Sequence, residues 1–516
     1  MKVAVLSTFH TVGSGAVACL SPARHRRSRI IVRARTVAQH RDIVHDDDDI
    51  VHDGEEGKAT SHPPPALSRR GAIAGSLATM ASASLAPQAA QAEVKLSPEG
   101  LDPSRRFFQT FPPLWEPYFG WGERVTVKRE LVPGVIWSLE QEQALDVLAM
   151  NVRTTVVKLT ETPGGGLVVF SPQAPTEEFF RLLDEIGEPV RHIVLPTYAL
   201  EHKVFVPAMS RRYPSAQVWV APGVWSVPVD LPLSWLGINA TGTLVNTGDG
   251  GGVEEGEGLA PPPWARELEC KILQVDSAGA NPYIEAVFYH KATRTLLVTD
   301  LVLSIPSEPP EVISRDRLLN LAPDDPVDAP APLSDQALRT GWAKASLVVS
   351  FLGPSRQQQV EGGKLKWDPG YEKSFATIAD RVIPSPILRT LVFSKGRKQT
   401  GEFIDEVCRD WGGDEHVKLE RRENRENQEG EGGDDSGAEG EEGDAGADAG
   451  TGFNKIVAAH YDAPIVAGAA ELRRAFAFLD NPGQDGLGLK AEGAELPEED
   501  MGVLLKVSDA LTKLGL

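Results

Sequence analysis

Residues 192–202 read His-Ile-Val-Leu-Pro-Thr-Tyr-Ala-Leu-Glu-His. The run His192–Leu195 is short, apolar and β-branched, which predicts a buried-type strand ending at Pro196. Gly187 and Pro189 stop whatever precedes it. Upstream, Thr176 is a predicted N-cap for a helix through Ile186, with Phe179, Phe180, Leu182, Leu183 and Ile186 spaced for one buried face. Downstream, Lys203–Arg212 is a second amphipathic helix closed by Tyr213-Pro214, and Gln217–Ala221 is another strand. Strands that alternate with helices predict an α/β fold.

The same reading extends outward. Val152–Leu159 and Leu167–Phe170 flank Pro163-Gly164-Gly165-Gly166, a strand–turn–strand pattern. Ile284–Tyr289 and Thr295–Thr299 alternate around residues 290–294, a hairpin in which His290 and Arg294 read as turn residues. Ile456–Ala459 is a short strand and Ala469–Leu479 a helix. Met501–Leu514 is amphipathic, opened by Pro497-Glu-Glu-Asp at the favourable end of its dipole. Three apolar strands therefore run out into titratable side chains: Glu201-His202, Asp300 and His460. Sheet-held strand ends are where sites collect in such folds.

The segments Leu195–His202, Val218-Trp-Val-Ala-Pro-Gly223, Phe288–Asp300 and Val457-Ala-Ala-His-Tyr-Asp-Ala-Pro464 resemble an uncharacterised plant, algal and cyanobacterial domain family. That family resembles the metallo-β-lactamase superfamily, and the resemblance spans roughly Phe108 to Leu479. It implies a four-layer αββα sandwich with a metal site between the edges of two sheets. The superfamily's metal run is His-x-His-x-Asp-His. Here Thr197 and Ala199 stand where its first two imidazoles belong, and no histidine occurs from Lys203 to Tyr289. One metal position has thus lost its imidazoles. The other retains Glu201, His202, Asp300 and His460, a donor set suited to one divalent ion such as zinc, iron or manganese. Taken singly, each of these residues also fits a structural role, and Glu201-His202 fits the opening of the following helix.

At 516 residues, with 41% apolar and 24% charged residues, the composition is globular. Of the net charge of −21, residues 421–450 alone carry −8, with eleven acids and three arginines, and the rest is spread thinly. The acidic balance speaks against a nucleic-acid partner. Cys19, Cys270 and Cys408 form no metal knuckle, and neither a nucleophile elbow nor a phosphate loop is present. No run of about 18 apolar residues predicts a transmembrane segment. Residues 242–263 and 421–452 are Gly- and acid-rich and predicted to be flexible inserts.

Met1 to Arg41 contains eight lysines and arginines and no acid, the composition of a transit peptide. Ser68-Arg69-Arg70, a weakly apolar run and Ala90-Gln91-Ala92 resemble a twin-arginine signal. Together they predict an unstructured transit peptide over 1–60, a lumen-targeting signal over 61–92 and a folded domain over 93–516. The expected location is the chloroplast thylakoid lumen, with the stroma as the alternative and association with the thylakoid membrane open. Two functions fit: a non-catalytic binding or assembly module for an unidentified protein or small molecule, or a single-metal-dependent hydrolase.

Overall fold

Why the strands are apolar on both sides becomes clear from what covers them. In the computed structural model the described residues are 97–109, 120–145, 148–224, 231–248, 260–276, 282–360, 365–413, 452–484 and 486–514. All belong to one unit spanning Leu67–Leu516. A short pair, β1 (Arg106–Gln109) and β2 (Gly120–Glu123), precedes a seven-stranded sheet. That sheet runs in chain order through β3 (Thr126–Val132), β4 (Ile136–Leu145), β5 (Leu148–Leu159), β6 (Gly166–Phe170), β7 (Val190–Leu195), β8 (Gln217–Val220) and β9 (Gly242–Thr243). Its first four strands form an antiparallel meander, and β6 to β9 are parallel. The crossovers are helices: Glu177–Asp184 before β7, then Leu200–Lys203 and Val206–Arg212 before β8.

The second sheet has five strands: β10 (Leu268–Val275), β11 (Tyr283–His290) and β12 (Thr295–Leu297), then, after a helical stretch holding the small pair β13 (Gln357–Gln359) and β14 (Leu365–Trp367), β15 (Lys455–Val457) and β16 (Ile465–Val466). Three apolar clusters define four layers. Val168 and Phe170 of β6 meet Phe288 of β11, Leu297 of β12 and Val457 of β15 between the sheets. On the outer face of the first sheet, Leu167, Val169, Ile193 and Leu195 pack on Phe179, Leu183, Val206 and Met209 of the crossover helices. On the outer face of the second, Val287, Tyr289, Leu296 and Ile456 pack on the helices Arg397–Trp411 and Ala469–Ala475. Strands covered on both faces must be apolar at every position, as β6 and β7 largely are. The arrangement is an αββα sandwich, as expected.

A fourth cluster joins the helices Arg315–Leu321, Asp335–Phe351, Tyr371–Ile378 and Gly502–Leu514, and reaches Tyr461, whose ring lies 5.9 Å from that of Trp342.

Local expectations hold with shifted ends. The Thr176 hydroxyl accepts from the Phe179 N–H and caps the helix Glu177–Asp184. The predicted helix Lys203–Arg212 is two helices that meet at Val204-Phe205, with Pro207 in the first turn of the second. The predicted helix Ala469–Leu479 turns to 3-10 geometry from Ala477. Residues 242–245, expected to open a flexible insert, are instead packed into the fold. Gly242 and Thr243 form β9, Leu244 and Val245 are buried, and the Thr247 N–H donates to the Cys270 carbonyl while its hydroxyl accepts from the Cys270 N–H. Gly242 is required by packing, since a Cβ there would come within 2.4 Å of the Trp219 ring. Residues 249–259, residues 414–451 and both predicted targeting segments lie outside the described residues.

Candidate metal centre

Three chain-distant strand ends meet at one edge of the inter-sheet layer. The β7 strand ends at Leu195, and Pro196–Ala199 lead into the short helix that carries Glu201 and His202. β12 ends at Leu297, three residues before Asp300, and β15 at Val457, three residues before His460. β12 and β15 are parallel neighbours, paired Leu297 to Val457, so equal overhangs bring Asp300 and His460 to the same height.

His202 is fully buried and His460 is 6% exposed. Their rings are 5.3 Å apart, and ligand atoms of Glu201, His202 and His460 all lie within 4.8 Å of one another. Among the described residues this is the one such cluster of donors. Asp300 stands between the imidazoles, Oδ2 at 3.5 Å from His202 Nε2 and Oδ1 at 3.3 Å from His460 Nε2. All four residues singled out by sequence are thus brought together.

The donors fit a cation. Ligands held about 2.0–2.1 Å from a tetrahedral ion sit about 3.3–3.4 Å from each other, longer than an ordinary N–H···O bond. His460 Nδ1 is 3.1 Å from the Asn151 carbonyl oxygen, which can only accept, so Nδ1 carries the proton. In the neutral ring Nε2 is then the lone-pair nitrogen, and it is the one that faces the Asp300 carboxylate, where a shared cation would suit both. Neither ring nitrogen of His202 has a hydrogen-bond partner, although the ring is wholly buried.

Without an ion, Asp300 and His202 favour each other's charged forms. Burial raises the Asp300 carboxyl, but the two imidazoles outweigh it and hold it below the ordinary carboxylate range. Burial disfavours charge on His202, yet Asp300 overrides that and raises its pKa. Beneath Asp300 lies a carboxylate that sequence reading passed over. Glu285 is fully buried, accepts from the Thr299 and Asp300 backbone N–H groups, and takes the Tyr283 hydroxyl at 2.5 Å. Burial, then the charge of Asp300, pushes its carboxyl up to about 7. A signal existed: Glu285 is the one acid in the fully buried β11.

Thr197 is buried, with a hydroxyl that has no hydrogen-bond partner. Its backbone bridges to Glu285, and the Pro196 carbonyl accepts from Ala286, tying β7's end to the second sheet. A cavity of about 20 Å³ opens next to this region, lined by Arg153, Ser171, Pro196, Phe288, Thr299 and Ala459 among others, enough for about one water molecule.

No curated protein matches this sequence. Among solved structures, the chain is weakly similar to metallo-beta-lactamases. One from Pontibacter korlensis shares 13% identity over 43% of this chain and 83% of its own, with a TM-score of 0.25. The FIM-1 enzyme from Pseudomonas aeruginosa, in its mono-zinc form, shares 11% over 44% and 81%, with a TM-score of 0.26. DIM-1, exposed to ceftazidime, shares 12% over 50% and 99%, also at 0.26. At such identities no chemistry transfers from those enzymes to this chain. The family match is of another kind: the profile described as "Domain of unknown function (DUF4336)" covers residues 133–418, more than half of the 516. The chain belongs to the DUF4336 family.

Proposed function

We propose that this protein holds one divalent metal ion through Glu201, His202, Asp300 and His460, and that it serves as a binding or assembly module in the chloroplast rather than as a hydrolase. The observation that carries the metal reading is the Asp300 carboxylate set between two imidazole Nε2 atoms at 3.3 and 3.5 Å, one of whose rings has its other nitrogen already committed as a donor. Zinc, iron and manganese all suit two imidazoles and two carboxylates.

A bound divalent ion would supply Lewis acidity and lower the pKa of water. Hydrolysis needs an open coordination position, however, and four protein donors leave least room for one. The burial of both imidazoles favours a closed site. Two other features support the module reading: the lost imidazoles at Thr197 and Ala199, and the acidic insert that precedes β15. The basic N-terminus and the Arg69-Arg70 signal support passage into the thylakoid lumen.

Elemental analysis of chain purified without chelator or affinity metal tests the metal reading. One ion per chain, lost in the His202→Ala/His460→Ala variant, is expected. Metal-free protein whose melting temperature ignores added zinc, iron and manganese sinks it. Zinc-dependent turnover of ester or amide substrates, abolished in the same variant, would instead favour the hydrolase. A reporter fused to residues 1–100 tests the address, and retention in the cytosol overturns it.

A further inference from the structure

The loop that presents His460 is gripped by a buried polar network lying outside the four ligands. From its geometry, and resting on the metal reading above, we infer that Glu140, Asn151 and Arg153 are positioning residues that aim the His460 imidazole at the ion.

Asn151 and Arg153 are two apart on β5, so their side chains share a face, and Val152 between them forms a β-bridge with His460. The Asn151 side chain pairs with the Tyr461 backbone in both directions: Nδ2 donates to its carbonyl at 2.9 Å, and its N–H donates to Oδ1 at 3.0 Å. Asn151's own carbonyl accepts from His460 Nδ1. The Arg153 N–H donates to the Ala459 carbonyl at 2.7 Å, and its guanidinium donates to the carbonyls of Ala458 and, at 2.6 Å, Tyr461. Glu140, opposite Arg153 on β4, accepts from Arg153 Nε at 3.2 Å and from Asn151 Nδ2 at 3.1 Å.

Every member of this clamp is 2% exposed or less. A buried Arg–Glu pair brings little net stability over an apolar pair of the same size. What it adds is direction, because a guanidinium fork and a primary amide satisfy carbonyls only in fixed geometry. The direction is used on a strained segment, since Tyr461 sits at φ +58°, where a side chain is disfavoured. With the loop so held, the His460 tautomer and the heading of Nε2 are set before any ion arrives, which is what outer partners of a ligating histidine do.

The test uses the full chain, Co(II) as probe and two variants. Arg153→Lys keeps the charge and loses the fork, and Glu140→Leu/Arg153→Met removes both charges together. In the wild-type chain without metal, nitrogen NMR should find His460 with its proton on Nδ1. In variants that retain the wild-type circular dichroism, Co(II) binding should weaken about 10- to 100-fold with a shifted visible ligand-field band. Wild-type affinity and spectrum in both folded variants overturn the inference. So does a wild-type His460 protonated on Nε2 alone, a result that stands even where the variants fail to fold. A wild-type chain that keeps the Nδ1 proton yet takes up no Co(II) breaks the metal reading and leaves the clamp as the device that orients the ring.

Discussion

The space between the two sheets is buried throughout, but its interior and its rim obey different physics. The interior is hydrocarbon: the Phe170 and Phe288 rings meet edge to face at 4.9 Å, with Val168, Leu297 and Val457 around them. The rim holds Glu140, Asn151, Arg153, His202 and Glu285, each as buried as the phenylalanines. Interior residues are bound by volume and tolerate exchange among apolar shapes. Rim residues are bound by partners, and each polar atom left alone there carries its full desolvation cost. Depth of burial therefore does not separate interior from rim in this molecule. The demand for partners does.

The sharpest way to break that contrast is at the interior. Phe288→Ala should cost about 3–5 kcal/mol in denaturant unfolding, through lost transfer energy and a cavity. The folded fraction should still bind one metal per chain, and selective loss of metal would show that interior and rim are a single unit. Removing the ion comes next. With metal at about a thousand times its Kd, chelation should lower stability by about 4 kcal/mol. The same chelator should leave His202→Ala/His460→Ala unchanged.

His192 offers a pH test on the interior side, away from the site. It lies on β7 against the Trp264 ring at 4.4 Å, and burial, with help from Arg191, lowers its pKa to about 4. The unfolded chain binds that proton near pH 6.5, so its contribution is complete above pH 6.5 and is lost as pH falls toward 4. Relative to His192→Leu, wild type should lose stability as pH falls across that window, by about 1–2 kcal/mol once solvent screening is allowed for. Parallel pH profiles would refute the assignment. The smallest effect is expected at Glu285→Gln, which keeps acceptors for the Thr299 and Asp300 amides. Its unfolding free energy should change by about 1 kcal/mol, and a collapse of the fold would mean that an ionised Glu285 anchors the edge.

Legibility followed the same division. The β7 and β6 strands, the Thr176 cap and the crossover helices announce themselves through apolar period and turn residues, which are local properties. The ends of Ala469–Ala475 and Val206–Arg212 did not, because packing and Pro207 set them. Polar strands were harder. β4 carries Ser138, Glu140, Gln141, Glu142 and Gln143, and nothing local says that Glu140 points at a buried arginine. Gly242 read as flexible because a glycine's reason, here the Trp219 ring, lies elsewhere in the chain. The four candidate ligands were legible as titratable residues just past apolar strands, but only the resemblance joined them into one site.

By itself the amino-acid order determined the alternation of strand and helix, the caps and stops of the crossover helices, and which side chains with metal-binding chemistry stand just past apolar strands. Those are consequences of near-neighbour sterics and of period. Tertiary structure alone decided that residues 201, 202, 300 and 460 share one edge, that Glu285 lies beneath them, and that Glu140 reaches the His460 loop through Arg153. Hydrogen bonds between residues some 300 positions apart depend on sheet pairing and layer packing, which the full set of cores sets together.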